Sequence, residues 1–403
     1  MKSLELSKNQ MTNLNPPFWP FCLLTFLLCF SACGSRNLTQ KKSVVLEMEP
    51  VVLEVAEKDG RKVVVTYDAQ SLFESGKAAY KTGKFAQCIE DYTQLLARFP
   101  ASRYSTVAVY NRGLCLEEDR QFGLAVRDFR TYTGLVKTDS DLLDGRFRWG
   151  FNLVESGNYP LAVRLYDQLL NHPTIGEFDR AEAHLRRGIA RMALRQYAEA
   201  EKDFRSTLKW VEQKTQGQIQ GNDLAAESHY RRGELFGILS SNVKLKLPLK
   251  SMKSDLDSKI RFFRRAQSGF VDALNVRSPY WATAAGLKLG ELYERFYDDV
   301  ISAEVPKGFD LSTRQYYLLE LKAQLQPVLT HSISIYERNI AMGLRLGTDN
   351  EWLKETEQRL NKLRALIEEN KKAADEMGPL DSKKKPKGKR PKKRSRIKKP
   401  ESA

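Results

Sequence analysis

At 403 residues, 41% of them hydrophobic, the chain is long enough to bury a substantial core. Its formal net charge is +16, yet twelve Lys/Arg and two acids between Pro379 and Ala403 account for +10 of it, leaving +6 for the rest. That distribution excludes a uniformly basic body and describes a nearly balanced one with a basic tail.

From the N-terminus, Lys2 and Lys8 precede an apolar run, Phe18 to Ala32, the length of a signal-peptide core and short for a membrane span. It ends Phe30-Ser31-Ala32-Cys33. This resembles the bacterial lipobox, with Phe30 where leucine is usual. The resemblance implies a signal peptide over 1–32, an acylated Cys33 at the new N-terminus and loss of Cys22 and Cys29; an ordinary signal peptide or an N-terminal anchor is the alternative. Residues 33–43 then read as a polar tether. Val44–Val55 and Arg61–Tyr67, both rich in β-branched residues and joined through Lys58-Asp59-Gly60, predict a β-hairpin over 44–67 packed on the first helical unit. Asp68 is the expected N-cap of the first helix.

From Asp68 to Trp210 one pattern recurs four times. Gly76, Gly113, Gly150 and Gly188 are 37, 37 and 38 residues apart. Each is followed by an aromatic (Phe85, Phe122, Tyr159, Tyr197), a small residue (Cys88, Ala125, Ala162, Ala200) and a second aromatic (Tyr92, Phe129, Tyr166, Phe204). A fixed period of this size marks a solenoid of helical hairpins. The small residue lets two helices approach, and the aromatic one turn later fills the space beside it. The pattern resembles the tetratricopeptide repeat, which implies an all-α array over 68–378 that binds protein partners and leaves the partner unnamed.

Beyond Lys214–Asn222, a loop by composition, Ala225–Leu239 restores a first helix around Gly233. The stretch Ser240–Lys259, with its lysines at 244–253, reads as a loop inserted before Ala266 and Phe270 resume the pattern. Leu289-Gly290-Glu291-Leu292-Tyr293 opens a sixth unit. Ser312 is the expected cap of a helix that Pro327 ends or kinks, with Ser332 and Tyr336 on the next helix. A final helix, Asn350 to about Asn370, carries Leu353, Leu360, Leu363 and Ile367 on one side and suits a cap for the open end of the stack. The tail from 379 onward is expected to be disordered. Cys88 and Cys115 admit a disulfide or two buried packing thiols; the packing reading is the expectation.

No catalytic constellation is visible. The four histidines, His172, His184, His229 and His331, have no metal spacing, and neither a nucleophile elbow nor a zinc-helix motif occurs. No cofactor and no enzymatic activity are expected. The resemblance places a binding groove on the first helices: Phe73, Lys77 and Tyr80 in unit one, Tyr110, Leu114 and Glu117 in unit two, Phe147, Phe151 and Val154 in unit three, Leu185, Ile189 and Met192 in unit four. This face is apolar and aromatic, fit for a peptide or helix, or alternatively part of the inter-helix core. In the tail, Lys383, Lys384, Lys385, Arg390, Lys392, Lys393, Arg394 and Arg396 suit anionic lipid or cell wall in an envelope protein, and nucleic acid in a cytoplasmic one. Leu-Gly-Glu-Leu-Tyr-Glu (289–294) and Glu-Trp-Leu (351–353) make the chain similar to tetratricopeptide outer-membrane lipoproteins of gliding and predatory proteobacteria. That resemblance implies a periplasm-facing scaffold in an envelope complex, with motility machinery as one candidate; an assembly factor and a nucleic-acid-associated cytoplasmic protein are the alternatives.

Overall fold

In the computed structural model, residues 51–58, 61–219, 221–305 and 308–377 are described. They open with an antiparallel hairpin, β1 (Val51–Lys58) and β2 (Arg61–Asp68), registered from Val51 opposite Asp68 to Lys58 opposite Arg61. The first strand runs three residues past Val55, because pairing Lys58 with Arg61 leaves only two residues for the connection. Residues 44–50 of the expected strand lie outside the described residues. Val52 and Tyr67 pack on the core of the first helical pair, and the Arg98 guanidinium lies 2.7 Å from the Glu54 carboxylate and 4.2 Å above the Tyr67 ring.

Thirteen helices follow among the described residues. Unit one is α1 (Ala69–Lys81) with α2 (Phe85–Arg98), and unit two is α3 (Ser105–Glu118) with α4 (Phe122–Leu135). Unit three is α5 (Asp139–Glu155) with α6 (Tyr159–Leu170), and unit four is α7 (Glu177–Ala193) with α8 (Tyr197–Lys214). Unit five is α9 (Asp223–Asn242) with α10 (Leu249–Val276), unit six is α11 (Pro279–Ile301) with α12 (Leu311–Leu346), and α13 (Glu351–Met377) closes the stack. Asp68 caps α1 as its sequence position predicts, accepting the Ser71 N–H at 2.8 Å.

The repeat glycines and aromatics meet. A methyl group placed on Gly76, Gly113, Gly150, Gly188 or Gly233 would lie 2.6–2.9 Å from the ring of Tyr92, Phe129, Tyr166, Phe204 or Phe270 respectively. Gly290 faces Tyr336 in the same way. Such separations are well inside carbon–carbon contact distance, so each seat admits hydrogen only. Cys88, Ala125, Ala162, Ala200, Ala266 and Ser332, one turn earlier on each second helix, are all fully buried.

Within units one to four the turn between helices also repeats. Gly83, Arg120, Gly157 and Arg195 have φ between 60° and 78°. The next residue's N–H reaches back five positions: Lys84 to Ala79, Gln121 to Leu116, Asn158 to Leu153 and Gln196 to Arg191, at 2.8–2.9 Å. This left-handed C-cap closes the first helix and reverses the chain, a conformation easy for glycine and costlier for the two arginines. In α9 and α11 no turn falls at the corresponding position, and both helices run on.

Three expectations for the second half are corrected. The stretch Ser240–Lys259 is not a loop: only 243–248 connects helices, and α10 extends the second helix of unit five toward the N-terminus. Its extra turns are held by Lys259, fully buried, whose ammonium donates to the Ser240 carbonyl and the Asp299 carboxylate, each at 2.7 Å. The cap of α12 is Asp310, accepting the Thr313 N–H at 2.7 Å, rather than Ser312. Pro327 does not end the helix either. α12 passes through it, and burial of Leu329 and Tyr336 against α11 and α13 offsets the backbone bond that proline cannot donate. Leu353, Leu360 and Leu363 of α13 are buried, as the one-sided stripe predicts.

Cys88 and Cys115 are fully buried but are not separate thiols: a disulfide joins them across α2 and α3, with Cα atoms 6.1 Å apart. The crossing position that demands a small residue brings Cys88 against the next helix, where Cys115 stands. Closing a loop of 27 residues limits the unfolded chain and contributes about 3–4 kcal/mol in the chain-entropy picture. A reductant should therefore lower the denaturation midpoint of the parent chain and leave that of a Cys88→Ala/Cys115→Ala variant unmoved. Equal response of both chains would show that the bond adds nothing.

Candidate partner-binding groove

Consecutive first helices touch one another, α1 with α3, α5 with α7 and α7 with α9, so they form a helical layer facing away from the second helices. The positions assigned to a groove on this layer divide into two sets. Most are packing residues. Phe73 stacks on Tyr104 at 4.9 Å and meets Tyr92 edge-on, and Tyr80 meets Phe85 edge-on. Tyr110 packs on Phe129 and Tyr132, and Leu114 joins the core around Phe129. Leu185 is fully buried, Val154 is buried, and Ile189 packs between two core clusters. Lys77 is half-exposed, 3.5 Å from Glu74.

The second set lines open space. Glu117, Phe147 and Phe151 border a cavity of about 720 Å³ formed by units two to four, and Met192 borders a smaller one of about 240 Å³ nearer unit six. The larger cavity is not purely apolar. Asp139, Asp144, Asp179 and Glu182 stand on its walls with Arg148 and Arg186. Five carboxylates, Glu117 included, thus meet two guanidiniums.

The two arginines are already engaged. Arg148 donates to Glu117 at 2.7 Å, and Asn152 donates to the same carboxylate at 2.7 Å. Burial pushes the Glu117 carboxyl up, against the pull of Arg148 and Asn152. Arg186 reaches both Glu227 oxygens at 3.2 Å and lies 3.6 Å from Glu182.

Two sets of residues escape a reading of the sequence alone, although spacing marks both. Two residues before the repeat glycine stands a cation in units three to six: Arg148, Arg186, Arg231 and Lys288. Each pairs with a carboxylate of the first-helix layer, Arg231 with Glu227 and Glu234, and Lys288 with Glu291. One residue before the glycine, Arg112 and Arg187 grip the aspartate that precedes the seated aromatic, Asp128 at 2.7 Å and Asp203 at 2.5 Å. Burial would raise Asp203, but His184, Arg187 and Arg191 together hold it below the usual carboxylate range. Cys33 and the tail lysines and arginines lie outside the described residues.

A family model described as a tetratricopeptide repeat matches residues 147–215, and a second with the same description matches residues 70–102. This is a tetratricopeptide-repeat chain. The matches span α1 and α2, then the middle of α5 to the end of α8. Among solved structures, the apo form of RapI aligns over 75% of this chain and 99% of its own at 11% identity, with a TM-score of 0.42. The C-terminal part of a TPR repeat-containing protein from Cytophaga hutchinsonii aligns over 75% and 98% at 17% identity and a TM-score of 0.38. A tetratricopeptide repeat protein from Parabacteroides merdae aligns over 73% and 98% at 15% identity and a TM-score of 0.35. No curated protein sequence matches the chain. An array of this kind is a protein-interaction scaffold, and protein partners follow from it.

Proposed function

We propose that the chain is a non-enzymatic scaffold of the cell envelope, lipid-anchored at Cys33 in the outer membrane, facing the periplasm and holding a peptide or helix of a partner complex against units two to four. The cavity bordered by Phe147 and Phe151 carries this reading, because it opens about 720 Å³ on the first-helix layer and offers ring surface that the array leaves half-exposed. The Cys88–Cys115 disulfide supports the compartment, since such bonds persist where the surroundings are oxidising. The basic tail adds attraction to anionic lipid or cell wall without defining the partner, because the pull of solvent-exposed charge is screened within about 8 Å at physiological salt.

Two measurements test the reading. Binding to a partner captured by crosslinking in the native cell should weaken at every salt concentration in Phe151→Glu, whereas deletion of 381–403 should slow association mainly at low salt. Loss of binding at high salt on tail deletion, with Phe151→Glu intact, would reverse these roles. Separately, Cys33→Ser should block lipid attachment and release the protein from the membrane fraction, because stable anchoring needs the acyl chains. Unchanged processing and fractionation would remove the lipoprotein assignment.

A further inference from the structure

The aromatic seated on each repeat glycine is a tyrosine in units one, three and six, and its hydroxyl needs a partner when buried. Tyr92 is served by Asn111, two residues before the glycine of unit two, whose amide donates at 3.1 Å. Tyr336 donates to Glu294. Tyr166 is fully buried, and its hydroxyl has no hydrogen-bond partner. The residue equivalent to Asn111 is here Arg186, which is turned to Glu227 and Glu182 instead. Tyr166 forms part of the wall of the 720 Å³ cavity. The charges that act on its hydroxyl include Arg186, Glu182 and Glu117, three other wall residues.

The same cavity has an unbalanced charge. Five carboxylates face two guanidiniums there, in a chain whose basic residues outnumber acidic ones by 66 to 50. Asp139 and Asp179 lie in the first turns of α5 and α7, where a carboxylate is ordinary. Asp144 and Glu182 lie beyond the first turn and gain nothing from those helix starts. Glu182 shares Arg186 with Glu227, so that guanidinium does not neutralise the wall. Half-buried Phe147 and Phe151 provide an apolar floor beside these acids.

We propose that this cavity takes an extended partner segment in which an arginine or lysine is flanked by apolar residues. The cation sits among Asp139, Asp144, Asp179 and Glu182, the apolar neighbours lie on Phe147 and Phe151, and the Tyr166 hydroxyl meets a polar group of the segment. The proposal rests on the scaffold reading above and names the chemistry of the occupant. A charge-assisted hydrogen bond in a partly desolvated site gives such a segment its selectivity, and the neutral hydroxyl can donate or accept.

The test is selection of a randomised eight-residue peptide library, displayed on phage, against the full chain at 0.15 M salt, followed by anisotropy titration of the selected peptide. Arginine or lysine beside apolar residues should be enriched. The selected peptide should bind Asp144→Asn/Asp179→Asn at least about tenfold more weakly. Tyr166→Phe should bind it several-fold more weakly while melting at or above the parent temperature, because the change removes an unpartnered buried hydroxyl. A purely structural role for Tyr166 would leave the affinity unmoved. Enrichment without charge preference, still abolished by Phe151→Glu, would overturn this proposal and leave the scaffold reading standing. Selection of no peptide would count against both. Peptide binding that appears only after deletion of 381–403 would make the chain's own tail the occupant and overturn the partner proposal.

Discussion

Six times along the chain, an aromatic ring on a second helix rests on a glycine of the first. The rest of the array depends on that contact. A ring over a bare backbone fixes how closely two helices approach and where along their length they cross, and the buried small residue one turn earlier removes the remaining obstacle. The glycine costs about 1 kcal/mol of helix propensity relative to alanine, and burial of a complete aromatic side chain more than offsets it. Because every unit uses the same seat, the first helices of neighbouring units come to lie in one inner layer.

The site arises where units three and four depart from the pattern. α5 and α7 are each 17 residues long, against 13 and 14 for α1 and α3, and their added first turns bring Asp139 and Asp179 to the layer's edge. Where unit two offers an amide to the seated tyrosine before it, unit four offers Arg186, which the neighbouring glutamates claim. One difference at a repeat position thus leaves a hydroxyl unserved, and the added first turns contribute acids to the cavity wall. In units three and four the cation preceding the glycine bridges to a neighbouring first helix, Arg148 to Glu117 and Arg186 to Glu227, so charge as well as packing holds the inner layer together there; Arg231 and Lys288 pair within their own helices.

Much of this is legible in the sequence because the seats are local in register: glycine and aromatic spacing place the paired helices and their crossings, and a one-sided leucine stripe places the end-capping α13. Features set by contacts between distant segments are not. The Ser240–Lys259 stretch looks like a loop because it is polar, yet Met252, Leu256, Ile260 and Phe263 form a helical stripe, and a lysine becomes a core residue only through Asp299, forty positions away. Pro327 is tolerated because α11 and α13 hold the helix on both sides of it. The groove escapes the sequence for a related reason. The family positions name the inner face of each helix, but aromatic neighbours fill most of that face in units one and two, and Glu117, Phe147, Phe151 and Met192 are the positions that border open space. The pairing of Cys88 with Cys115 requires knowing that the crossing position of α2 faces α3.

The central claim is that the glycines are seats and not merely gaps in helix-forming sequence. A double-mutant cycle at Gly188 and Phe204 tests it directly, with unfolding free energies for the parent, Gly188→Ala, Phe204→Leu and the double variant. If Phe204 occupies the space above Gly188, alanine there destabilises the parent by about 1–3 kcal/mol, and much of that loss disappears once leucine replaces the ring, giving a coupling of about 1 kcal/mol or more. If instead Gly188→Ala stabilises the chain by its helix propensity, and the two changes add to within about 0.5 kcal/mol, the seat does not exist and the register of the array is wrong.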